Sequence, residues 1–137
     1  MEQVNKVAYT IAATAKGGRG GRTTSEDGSV DVELGKPGSK KANPETLFAA
    51  GYAACFNGAL NMVASQEDVD TTESQVTADV TFGETDSGFG LAVDIVALIP
   101  GVDDAQAQEL VEKAHQACPY SKATRGNIEV TVSGKAA

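Results

Sequence analysis

Apolar and polar positions alternate first between residues 4 and 14, VNKVAYTIAAT, which puts Val7, Tyr9, Ile11 and Ala13 on one face and predicts a strand. KGGRGGR follows as a glycine-rich loop. Asp27-Gly28 signals a turn into a second strand carrying Val30, Val32 and Leu34 on one side, and GKPGSKKA is again a loop. The pattern then changes. From Asn43 to about Ser65 little of a helical circumference is polar, so the spacing predicts a helix buried nearly all round. Asn43 suits the N-cap, Pro44 the first helical position and Glu45 the first turn, where the helix dipole favours an anion. Gly51, Cys55, Gly58 and Ala59 form a stripe of small residues that lets a neighbouring element approach closely.

Two further alternating runs, Val76 to Phe82 and Phe89 to Ile95, flank GETDSG and predict a hairpin. Asp103 or Asp104 caps a second helix with Leu110, Val111, Ala114 and Cys118 at helical spacing, interrupted by Pro119. Ile128, Val130 and Val132 make a last strand. Strands, helix, hairpin, helix, strand is an α+β order in one domain spanning 1–137, with no repeat and no linker. A first helix this apolar calls for a covering partner, and a homodimer is the simplest one.

Composition narrows the function. The formal net charge of −8 leaves no basic surface for nucleic acid or anionic lipid. The N-terminus lacks a basic stretch leading into an apolar one, so no secretory signal is expected and the location is cytoplasmic. The run from Leu47 to Ala64 approaches membrane-spanning length, but its two asparagines, glycines and many alanines make a buried globular helix the better reading. In a cytosolic protein two cysteines are free thiols, or a catalytic or redox-sensing pair.

Local context alone leaves Cys55 and Cys118 open. Both suit small buried hydrophobes. Cys118 could instead cap a turn beginning at Pro119, with its sulfur facing free backbone amides that favour the thiolate. KGGRGGR matches neither the phosphate-binding loop nor the dinucleotide fingerprint. It is either a mobile loop delivering Arg19 or Arg22 to an anionic group or a turn with solvated arginines. His115 and Cys118 make half of a metal site at most, and with one histidine and two cysteines in the chain no metal is expected. The chain has no nucleophile elbow, and its histidine lies in no nucleophile motif.

NPETLFAAGYAACFNGAL and HQACPYSKATRGNIEV resemble the two cysteine motifs of the organic hydroperoxide resistance (Ohr) proteins, a branch of the OsmC-like superfamily. KGGRGGR with DGSVDVEL is similar to that family's N-terminal region, so the resemblance spans essentially the whole chain. It implies two long central helices packed with antiparallel sheets in an intertwined homodimer. It also implies a thiol peroxidase that reduces organic hydroperoxides to alcohols. Cys55 then matches the peroxidatic cysteine, Cys118 the resolving cysteine, Arg19 the catalytic arginine and Glu45 the glutamate that holds it. No cofactor is bound; the implied reductant is dihydrolipoamide or a lipoylated protein. A noncatalytic redox-sensing or lipid-binding module with the same pocket is the alternative. Two positions depart from the family pattern: Asn57, where leucine is usual, and Lys122, where asparagine is usual. Asn57 puts the packing near the cysteine, and so substrate preference, in question.

The chemistry agrees with these assignments. A peroxide is cleaved by thiolate, but apolar burial raises a thiol pKa, so Cys55 needs a cation. Guanidinium stays charged when partly buried, and a carboxylate can hold it through two parallel hydrogen bonds. If Glu45 and Cys55 share one continuous helix, about 15 Å of rise separates them. Arg19 and Glu45 of one subunit are then expected to serve Cys55 of the other. Leu47, Phe48, Tyr52 and Phe56 are candidate lining for an alkyl or fatty-acyl chain.

Overall fold

A computed structural model describes all 137 residues, which form two compact units, Met1–Pro44 and Glu45–Ala137. In the first unit, β1 (Ala13–Lys16), β2 (Arg22–Ser25) and β3 (Asp31–Glu33) make an antiparallel sheet in that order. Arg22 pairs with Asp31 across β2 and β3 at 2.7 Å. Asp27 closes the β2–β3 turn. Its carboxylate accepts from Ser25 Oγ at 2.7 Å and from the Ser29 amide at 3.0 Å, and these bonds with the Ser29 hydroxyl lower its pKa to about 2.

The strand expected over 4–14 forms only from Ala13 onward. β2 ends opposite Ala13 at Ser25, and the last bond of the ladder runs from the Glu26 amide to the Ala12 carbonyl. Earlier residues have no strand beside them in the single chain, so Val7, Tyr9 and Ile11 are exposed. β2 itself, RTTS, has no apolar alternation and left no pattern to read.

In the second unit, α1 (Pro44–Ser65) precedes the hairpin of β4 (Gln75–Thr85) and β5 (Gly88–Ile99). Then come α2 (Asp104–Ala117), α3 (Pro119–Thr124) and β6 (Val130–Ala136). Asp103 is the cap of α2, accepting from the Gln106 amide at 2.8 Å. β4 and β5 pair antiparallel, but β6 joins β5 in parallel, so this sheet is mixed rather than antiparallel. The reason is the connection: a strand returning through helices re-enters in the same direction.

One face of α1, with Tyr52, Phe56, Leu60 and Ala64, packs into a core shared with Ile95 and Ile99 of β5 and Leu110 and Val111 of α2. The helix is long and apolar enough to span a membrane by length and composition, yet this face lies in a protein core. The expectation of burial all round is not met in the single chain. Thr46, Ala50, Ala54, Gly58 and Met62, four residues apart, form an exposed stripe. Side chains at that spacing share one face, and neither the β4–β5–β6 sheet nor α2 covers it.

α2 lies directly on β6. A Cβ at Gly134 would stand 2.4 Å from the Ala107 carbonyl oxygen and 3.0 Å from Val111 Cγ1. The Gln108 side chain completes the contact: its oxygen accepts from the Gly134 amide at 2.9 Å and its nitrogen donates to the Val132 carbonyl at 3.3 Å. Gly134→Ala should therefore push α2 off the strand and cost about 1–3 kcal/mol, as overpacking does. A urea melt with a lowered midpoint at unchanged slope checks this; an unshifted midpoint would contradict it.

Candidate active site

Pro119 sets the local geometry. The residue before a proline is held extended, and Cys118 has φ −69° and ψ 122°, ending α2 and starting α3 in one position. The kink turns the Cys118 side chain toward α1, where its Sγ lies 3.5 Å from Cys55 Sγ. Both cysteines are free thiols; Cys118 is wholly buried and Cys55 half-buried. Of the two sulfurs, Cys55 is therefore the one a ligand can reach.

Burial pushes the Cys55 thiol above its ordinary pKa, and the adjacent Cys118 thiol adds to the rise. The nearby Tyr120 backbone amide opposes it. Of the two open readings of Cys118, the one in which it caps the turn at Pro119 is not met. Its side chain makes no capping hydrogen bond.

Tyr120 also fits against α1. A Cβ at Gly51 would come within 3.2 Å of the Tyr120 hydroxyl, so the small-residue stripe serves α3 at this point. The rings of Phe48, Tyr52 and Tyr120 form a cluster with centroids 5.8–6.5 Å apart. Phe48, Tyr120, Ala123 and Thr124 line an open apolar cavity of about 180 Å³. Of the other proposed lining residues, Leu47 is half-buried outside that cavity, while Tyr52 and Phe56 are completely buried in the core. Asn57 does not face the cysteines: its side-chain oxygen accepts from Ser74 Oγ at 3.4 Å, bracing α1 against the segment before β4. Lys122 lies in the last turn of α3.

His115, in the last turn of α2, is half-buried. Its Nδ1 lies 2.7 Å from Ser121 Oγ. Burial, and then the Arg125 charge, hold its pKa below the ordinary value.

Glu45 and Cys55 do share one unbroken helix, α1, so about 15 Å of helical rise separates them. Arg19 lies in the other unit, in a 3-10 turn over Gly18–Gly20 between β1 and β2. KGGRGGR is thus a tight hairpin turn, not an open loop. A Cβ at Gly21 would fall 1.8 Å from the Lys16 carbonyl, so only glycine closes it. Within that unit Arg19 lines a cavity of about 250 Å³ with Gly20, Gly35, Lys36, Pro37 and Asn43. Arg22, the other arginine of the motif, is committed to Asp31.

The fold and the facing sulfurs define an α+β protein with a ready pair of reduced cysteines. The sequence model of the OsmC-like protein family matches residues 36–133. An organic hydroperoxide resistance protein of Xanthomonas axonopodis pv. citri is 49% identical over 97% of this chain and 99% of its own. The organic hydroperoxide resistance protein OhrB of Bacillus subtilis is 46% identical over 93% and 98%. The crystal structure of an organic hydroperoxide resistance protein from Elizabethkingia anophelis superposes with a TM-score of 0.89 at 50% identity, covering 96% of this chain and 99% of that one. The chain belongs to the OsmC-like family, in its organic hydroperoxide resistance branch.

Proposed function

We propose that the protein is a two-cysteine peroxidase that reduces organic hydroperoxides to alcohols in the cytoplasm. The observation that carries this reading is the 3.5 Å approach of a reachable thiol, Cys55, to a buried one, Cys118. The Cys55 thiolate attacks the terminal oxygen of ROOH; the O–O bond breaks and the departing alkoxide takes a proton to become ROH. Cys55 is left as a sulfenic acid. The Cys118 thiol then displaces its oxygen as water and closes a Cys55–Cys118 disulfide, which forestalls further oxidation. An external dithiol must reopen that bond through a mixed disulfide. Dihydrolipoamide, free or on a lipoylated protein, fits this role as a dithiol.

The raised Cys55 pKa makes a cation necessary, and Arg19 held by Glu45 is the candidate. The 15 Å of helix between Glu45 and Cys55 favours supply of both by a second subunit. The exposed stripe on α1 and the exposed Val7, Tyr9 and Ile11 are apolar surfaces suited to a homodimer. The cavity beside Phe48 and Tyr120 suits a carbon chain.

Stopped-flow mixing of the reduced protein with an organic hydroperoxide and with hydrogen peroxide tests the reading. The organic substrate should react faster by on the order of 10²-fold, because only it gains apolar burial at the site. Equal rates for the two oxidants would sink the substrate assignment.

A further inference from the structure

Behind the cysteines lies a polar cluster that the peroxidase chemistry leaves unused. Tyr52 Oη is 2.9 Å from Ser121 Oγ and 3.1 Å from Thr124 Oγ1. Ser121 Oγ is 2.7 Å from His115 Nδ1, and Thr124 Oγ1 donates to the Ser121 carbonyl at 3.1 Å. Tyr52 and Ser121 are completely buried, and Thr124 nearly so. No buried side-chain polar atom here lacks a partner.

The protons can be counted. Four hydrogen bonds need four protons, and each hydroxyl supplies one. Ser121, Tyr52 and Thr124 together supply three. With all four bonds made, the fourth sits on His115 Nδ1. Thr124 gives its proton to the Ser121 carbonyl, Tyr52 gives to Thr124, Ser121 gives to Tyr52, and His115 gives to Ser121. The cluster is then a one-way chain in which every bond is made. The Phe56 ring, 6.5 Å from the imidazole, and the bond from Arg125 Nη2 to the His115 carbonyl at 2.7 Å brace its far end.

This chain joins the three helices that carry the thiols. Tyr52 stands one turn before Cys55 on α1, His115 one turn before Cys118 on α2, and Ser121 one turn beyond Cys118 on α3. Residues three apart share a helix face. Holding Tyr52, Ser121 and His115 together therefore holds together the backbone segments that carry the two sulfurs. Closing the disulfide requires the sulfurs to move from 3.5 Å to about 2.05 Å.

We propose that His115, as its Nδ1–H tautomer, is a positioning residue that acts through Ser121 and Tyr52 to hold Cys118 within closing distance of Cys55. The assignment rests on the two-cysteine peroxidase reading for its purpose, but its tests do not need peroxidase activity. The chain has a single histidine, so ¹⁵N NMR of histidine-labelled protein reads the tautomer directly. Above the imidazole titration the proton should reside on Nδ1. A proton on Nε2 would mean the reversed chain, with Ser121 donating to the ring, and would overturn the proposal.

The second measurement is the equilibrium of the thiol pair with glutathione. One glutathione disulfide takes two electrons from the two thiols, giving the protein disulfide and two reduced glutathiones. His115→Leu, which cannot donate, should weaken disulfide formation about tenfold, on the order of 30 mV for the two-electron couple. His115→Asn places an amide N–H near the position of Nδ1 and should restore the constant to within about twofold. Thermal melts of both variants report whether each is folded. An unchanged constant in a folded His115→Leu, or no recovery in a folded His115→Asn, would overturn the proposal. Failure of the wild-type protein to reduce any organic hydroperoxide, with tautomer and equilibrium as expected, would instead remove the peroxidase reading alone.

Discussion

Cys55→Ser should lower the turnover of an organic hydroperoxide by at least on the order of 10³-fold, because a serine hydroxyl is not an adequate nucleophile at neutral pH. Cys118→Ser should behave differently. Its Cys55 can still attack once and release one alcohol, but no thiol stands 3.5 Å away to close the disulfide. The variant should consume one equivalent, stall as the sulfenic acid and then pass to the sulfinic acid with excess peroxide. Hydroperoxide consumption in the presence of a dithiol, with mass analysis of the cysteine peptides, separates the two variants. Sustained turnover by Cys55→Ser would reject Cys55 as the attacking group. A Cys118→Ser protein that turns over like wild type would reject the resolving role. The inequality between the sulfurs is structural. Cys118 is fully buried and Cys55 is not, so exchanging their roles would require the helices to part.

Arg19→Ala should slow the reaction with organic hydroperoxide at neutral pH by on the order of 10²-fold, through lost thiolate and lost stabilisation of the departing oxygen. The thiolate part should return as pH rises. Without the cation the pKa of Cys55 stands higher, so the rate should climb about tenfold per pH unit until that pKa is reached. The proposed supply of Arg19 across a dimer gives a sharper result. Heterodimers that carry Arg19→Ala in one subunit and Cys55→Ser in the other contain, on this reading, one intact site and one doubly defective site. They should recover about half the wild-type activity per dimer, although each parent homodimer is nearly inactive. If Arg19 serves its own subunit, both sites of the heterodimer are broken and no activity returns. Tagged co-expression, purification of the mixed species and a turnover assay decide between the two.

Much of the fold was legible in the chain. The capping of α2 at Asp103 or Asp104, of which Asp103 is the cap, the start of α1 at Pro44, the β4–β5 hairpin and the break at Pro119 all rest on local rules: side-chain capping, fixed proline geometry and period-two alternation. Other features depend on partners distant in sequence. Val7, Tyr9 and Ile11 have the alternation of a strand but no strand beside them in the single chain. β2 is a strand by pairing and not by pattern. The parallel entry of β6 follows from the path of the chain through α2 and α3.

The candidate site divides in the same way. Sequence by itself determined which residues have usable chemistry: two thiols, a glycine-bound arginine and a glutamate at a helix start, in motifs that resemble one family. It also set Glu45 and Cys55 about 15 Å apart on condition of one continuous helix, because helical rise is a local property, and α1 meets that condition. Only the tertiary structure decided that the sulfurs of Cys55 and Cys118 meet at 3.5 Å. It alone turned Asn57 toward Ser74 and joined His115, Ser121 and Tyr52. Such meetings depend on where three helices cross, and crossing is set by packing over the whole core, which no stretch of sequence encodes locally.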